Sequence, residues 1–121
     1  MKHCLVVDGS AVIRKVAKAI LEELNFRASE AENGYEALDQ CRVSMPDAVL
    51  LDWNSPVMDG IAFLAALRKE QGGAQPKVIF CTTENDVGQI TRAISAGASE
   101  YIMKPFDRDI IEAKFHEVGL I

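Results

Sequence analysis

Short apolar runs and helical patterns alternate five times along this chain, and few architectures accept that order. Residues 5–7, 48–51, 78–81 and 101–103 form four runs that are apolar without interruption. A strand wet on one face alternates polar and apolar side chains, so continuous runs fit strands covered on both faces. Arg27–Ala31 is a fifth, weaker candidate whose mixed polarity suits a sheet edge. Between them, Ile13, Val16, Ala17, Ile20, Leu21 and Leu24 recur at helical spacing, with Ser10 as N-cap and Asn25 as stop. Residues 35–42 read as a second helix opened by the Asn33-Gly34 turn. Ile61, Leu64 and Leu67 mark a third, closed by Gly72-Gly73. Val87, Ile90 and Ile94 mark a fourth, ended by Gly97, and Ile110, Ile111, Phe115 and Val118 a fifth, with Asp107 near its start. Strands separated by helices pair in parallel through right-handed crossovers, with helices on both faces. The expected fold class is α/β: a three-layer, doubly wound (βα)5 unit around a five-stranded parallel sheet.

Composition narrows the class of partner. A chain of 121 residues, 49% of them hydrophobic, suits one domain with one ordinary core. The net charge of −5 disfavours a phosphate-backbone partner, so DNA binding is not expected. The longest stretch free of charge is 60–67, far short of a membrane span. Asp8 interrupts the first apolar run, which argues against a signal peptide. Cys4, Cys41 and Cys81 are odd in number and scattered, as reduced thiols in a cytoplasmic protein would be.

The residue that ends each strong run matters more. Val7 leads into Asp8, Leu51 into Asp52, Cys81 into Thr82 and Met103 into Lys104. In an open parallel sheet these positions share the carboxyl edge, where ligands bind near the point at which strand order reverses. Singly, an Asp or Thr after a strand is usually a turn residue or a helix cap. Two carboxylates, a hydroxyl and an ammonium together form a complementary set, and the functional reading prevails.

These residues also carry a resemblance. Val6-Val7-Asp8, Leu51-Asp52-Trp53-Asn54, Pro56-Val57-Met58-Asp59-Gly60, Thr82 and Tyr101-Ile102-Met103-Lys104-Pro105-Phe106 resemble the signature of receiver domains of two-component response regulators, most closely the single-domain, chemotaxis-regulator type. The similarity runs from about Lys2 to the last helix, so a single receiver domain over 1–121 without an output domain is expected. The resemblance implies strand order 2-1-3-4-5 and a cis bond at Lys104-Pro105.

It further implies that Asp52 is the phosphoacceptor, fed by a histidine kinase or phosphotransfer protein. Carboxylates do accept phosphoryl groups, and that transfer needs positioning and charge neutralisation more than covalent machinery. Mg²⁺ suits one or two carboxylates with retained waters; Asp8, Asp52 and the backbone carbonyl of Asn54 are the implied ligands. Lys104 would neutralise one phosphoryl oxygen, and Thr82 would bond another only once the group is present, which makes Thr82 a switch. Tyr101 resembles the aromatic residue that answers that switch. Asn54 and Glu84 hold positions that tune phosphoryl lifetime. Output is expected through protein docking on the face of the fourth helix, fifth strand and fifth helix, at residues such as Gln89, Arg92, Tyr101 and Arg108, from a monomer.

One position departs from the pattern. Receiver domains normally carry two adjacent acidic residues after the first strand, and this chain has Asp8-Gly9. Losing one carboxylate should weaken Mg²⁺ binding and need not abolish it. The departure raises an alternative function, a pseudo-receiver that binds partners constitutively. Enzyme readings fit less well. A flavodoxin-type carrier would need a Ser/Thr/Gly-rich phosphate loop after the first strand. An aspartate-nucleophile phosphatase would carry its Asp-x-Asp on the first strand and a cap domain. At most, self-catalysed phosphoryl transfer and slow autodephosphorylation are expected.

Overall fold

The computed structural model describes residues 1–52, 57–83 and 87–121. Five strands alternate with five helices: β1 (His3–Val7), α1 (Ala11–Glu23), β2 (Arg27–Ala31), α2 (Gly34–Val43), β3 (Ala48–Asp52), α3 (Gly60–Lys69), β4 (Lys77–Thr82), α4 (Val87–Ser95), β5 (Glu100–Met103) and α5 (Arg108–Glu117). The sheet is wholly parallel in the order β2-β1-β3-β4-β5. Strand order therefore reverses beside β1, between β1 and β3. The alternation and the implied order both hold.

Local chemistry sets the helix ends. The Ser10 hydroxyl accepts from the Ile13 N–H, and the side-chain oxygens of Asn33, Asp59 and Asp107 cap α2, α3 and α5 in the same way. Each satisfies a donor that a first helical turn leaves orphaned. Asn25, just after α1, lies in the left-handed region at φ 66°, as a helix stop requires.

Alternate residues of each strand feed two cores. Leu5, Val7, Val49, Leu51, Val78 and Phe80 pack beneath α2 and α3, while Cys4, Val6, Leu50, Ile79 and Cys81 pack beneath α1 and α5. Strands run beyond their apolar runs, because the ladder uses backbone groups whatever the side chain. Asp52 and Thr82 accordingly close β3 and β4 instead of lying just past them. Two helical assignments need correction. Val16 is 45% exposed, and the buried face of α1 is Arg14, Ala17 and Leu21. In α4, Val87 and Ile94 lie outward and Ala93 is the residue buried. Among the described residues no helix is long and apolar enough to cross a membrane.

Gly60 opens α3 tightly against the strand end that carries Asp52. A Cβ there would strike the Phe80 ring and stand 3.4 Å from the Asp52 carbonyl oxygen. Phe80 is fully buried and cannot retreat. Gly60→Ala should therefore cost about 2 kcal/mol as overpacking, read as a fall of roughly 5–10 °C in melting temperature. An unchanged melting curve would contradict this packing.

Candidate functional site

The carboxyl edge of the sheet gathers the four residues singled out by the sequence. Lys104, just beyond β5, places its Nζ 2.8 Å from Asp8 Oδ2 and 3.0 Å from Asp52 Oδ1. One ammonium thus bridges carboxylates from β1 and β3, on either side of the reversal point. The Asp8 side chain is only 6% exposed and those of Asp52 and Lys104 only 14%, so the charges meet in reduced dielectric. Burial by itself would lower the Lys104 pKa. The hydrogen bonds and charges of Asp8 and Asp52 outweigh it, so the pKa stands above its usual value and the ammonium persists.

Asp8 is held at every polar atom. Its N–H donates to the Ala31 carbonyl at 3.1 Å, extending the β1–β2 ladder by one residue. Its Oδ1 accepts the Ser10 N–H at 2.8 Å, its Oδ2 accepts from Lys104, and its carbonyl accepts from Arg14 Nη1 at 2.7 Å. Lys104 is tethered in turn by its own N–H, which donates to the Thr82 carbonyl at 2.7 Å, and a cis bond joins it to Pro105.

Thr82 is 5% exposed and faces Tyr101 across a cavity of about 10 Å³, lined also by Phe80, Gln89, Ile90 and Ala93. That space is barely enough for one water molecule. The Tyr101 ring also lies 5.4 Å from Lys114 Nζ, within cation–π range, and Lys114 pairs with Glu100 at 3.7 Å.

Cys81 stands in register with Asp52, but burial pushes its thiol up to about 12, so no competing thiolate forms at neutral pH. Gly9 is exposed in the turn after β1. The expectations for Asn54 and Glu84 fall outside the described residues, as does Trp53. Arg14 escapes a reading of the sequence, because a cation in a helix normally faces water, as Lys15 does. Its spacing of three and seven from Ala17 and Leu21 is the available signal.

Comparison with known proteins agrees with this geometry. The model of the response regulator receiver domain matches residues 4–116. The chemotaxis protein CheY of Bacillus subtilis is 38% identical over 111 residues, covering 90% of this chain and 91% of that one. Among solved structures, the chemotaxis response regulator CheY4 of Vibrio cholerae superposes with a TM-score of 0.90 at 28% identity, over 98% of both chains. The receiver domain of a sensor histidine kinase from Pseudomonas aeruginosa PAO1, solved with a magnesium ion coordinated in its active-site cleft, gives 0.88 at 26% identity, again over 98% of both. This chain belongs to the response regulator receiver domains, the phosphoacceptor signalling modules of two-component systems, and is of the CheY type.

Proposed function

We propose that Asp52 accepts the phosphoryl group, from a histidine kinase or phosphotransfer protein, and that Thr82 and Tyr101 convert this event into a change of docking surface. The observation that carries the reading is the Lys104 ammonium shared between Asp8 and Asp52. It places a fixed positive charge beside a strand-end carboxylate that is also partly open to solvent. An Asp52 oxygen attacks phosphorus as the bond to a donor imidazole nitrogen breaks, and the imidazole departs with that electron pair. Lys104 neutralises charge on the transferred group, and Asp8 supplies the second carboxylate of the site.

The residues fit Mg²⁺. Asp8 and Asp52 are hard oxygen donors from adjacent strands, a number this ion accepts. They would hold it together with the Asn54 carbonyl, and it would supply further charge neutralisation for the phosphoryl oxygens. Gly9 contributes no ligand, so the affinity is expected to be modest. The Mg²⁺-bearing receiver domain from Pseudomonas aeruginosa supports the assignment by analogy. The CheY relatives favour switched signalling over constitutive binding.

Residues 1–121 act as a receiver domain, cytoplasmic and monomeric, with self-catalysed transfer and slow autodephosphorylation but no turnover of a separate substrate. Asn54 and Glu84 tune the phosphoryl lifetime. Its output surface is the face of α4, β5 and α5, where Arg92 and Arg108 are exposed and Gln89 and Tyr101 are half-buried.

Thr82→Ala tests the switch. The variant should still be phosphorylated at Asp52, because the hydroxyl is not the nucleophile. The gain in partner affinity on phosphorylation should fall from the usual allosteric range of roughly 5–150-fold towards none. Titration of a partner with phosphorylated and unphosphorylated variant reads this directly. An undiminished gain would remove Thr82 from the mechanism.

A further inference from the structure

We infer that Arg14 is a positioning residue for the site, fixing the Asp8–Gly9 peptide and with it the direction of the Asp8 carboxylate. The inference rests on the reading of Asp8 as a Mg²⁺ ligand for its functional consequence, but not for its geometry.

Each guanidinium nitrogen of Arg14 has a separate partner. Nη1 donates to the Asp8 carbonyl at 2.7 Å, Nε to Glu30 Oε1 at 2.9 Å, and Nη2 lies 4.0 Å from Glu32 Oε1. The side chain is 11% exposed, unlike the other cations of α1. Glu30 is itself anchored: Lys18 Nζ lies 3.5 Å from its second oxygen, and Gln40 Nε2 donates to its carbonyl at 2.6 Å. Arg14 therefore ties α1 to the edge strand β2 and uses that tie to grip the end of β1. Donation from a buried cation is among the stronger hydrogen bonds available.

The grip matters because the next residue is glycine. Gly9 lacks a Cβ and leaves the turn little intrinsic restraint. Meanwhile Lys104 pulls on Asp8 Oδ2 from the far side of β3. Ala31 holds the Asp8 N–H, in the peptide before the Asp8 Cα, and Arg14 holds the Asp8 carbonyl, in the peptide after it, so the backbone is fixed on both sides of the carboxylate-bearing residue. Without Arg14 the carbonyl of the Asp8–Gly9 peptide loses its donor, and the Ala31 and Ser10 bonds to Asp8 are left to oppose the pull of Lys104. A purely structural ion pair between α1 and β2 would not single out the Asp8–Gly9 peptide.

The test uses the metal-free protein first. Backbone ¹⁵N relaxation should show the Gly9 amide ordered in the parent, with an order parameter near ~0.85, and falling below ~0.6 in Arg14→Met while Val7 and Ala31 stay rigid. Mg²⁺ titration followed by Trp53 fluorescence should show binding weakened several-fold. Arg14→Lys, which can reach the carbonyl or Glu30 but not hold both, should lie between. Should Arg14→Met not fold, the Lys variant reads the same loosening of Gly9. A Gly9 amide as rigid in the folded variants as in the parent would overturn the inference. A parent that does not respond to Mg²⁺, with Gly9 nonetheless loosened in the variants, would overturn the Mg²⁺ reading and leave Arg14 as the positioning residue.

Discussion

Incubated with acetyl phosphate and Mg²⁺, the Asp52→Asn protein should gain no mass, whereas the parent should gain one phosphoryl group on the peptide containing Asp52. The amide is isosteric with the carboxylate but is a poor nucleophile towards phosphorus, so chemistry and fold separate cleanly in this variant. Its oxygen can still accept from Lys104 Nζ, which also keeps Asp8 at 2.8 Å. The melting temperature should accordingly move by only a few degrees. Loss of labelling is thus a loss of the acceptor and not of the domain. Lys104 cannot substitute, since the remaining carboxylate of Asp8, 2.8 Å from its Nζ, keeps it an ammonium with no free electron pair. Cys81, the register neighbour of Asp52, cannot either, because its thiol titrates at about 12. Undiminished labelling of the variant would move the acceptor elsewhere and end the assignment of Asp52.

The parts of this site legible in the sequence share one property: they are positions where backbone geometry leaves no choice. A residue at the end of a continuous apolar run must lie on the carboxyl edge, so Asp8, Asp52, Thr82 and Lys104 can be placed together from their spacing. Which strands are neighbours is a property of the crossovers, and the order comes from family resemblance. Side-chain direction on helices is less legible. Val87 and Ile94 obey helical spacing, yet lie outward, because α4 meets the sheet through small Ala93. Val16 gives way in α1 to Arg14, whose burial depends on Glu30 sixteen residues away and on a carbonyl at the end of another strand. No local pattern announces such a partner. The Tyr101–Lys114 contact is hidden for the same reason, since it joins β5 to α5 across the surface.

Gly9→Asp should bind Mg²⁺ more tightly than the parent, by roughly tenfold. Trp53, the only tryptophan in the sequence and the neighbour of Asp52, supplies the signal. The present cluster sets two carboxylates against one ammonium, and that ammonium occupies an oxygen of each. An incoming dication therefore competes with Lys104 for both. A third carboxylate adds a ligand that Lys104 does not already hold. Gly9 is exposed, so the new side chain starts from a position that solvent reaches. Even at an effective dielectric near ~20, with screening, a carboxylate beside a divalent ion contributes at least on the order of 1 kcal/mol, and tenfold corresponds to about 1.4 kcal/mol. The gain has a cost in the metal-free protein. Three carboxylates around one ammonium repel one another more than two do, so Gly9→Asp should melt below the parent without Mg²⁺ and recover as the ion is added. The crossing of these two effects is the signature to look for, because a generally destabilising substitution would lower the melting temperature at every Mg²⁺ concentration. Superimposable titrations for the two proteins would mean that another group already fills the place of the second carboxylate. A silent parent with a responsive variant would instead restore the constitutive-binding reading, with Gly9 as its cause.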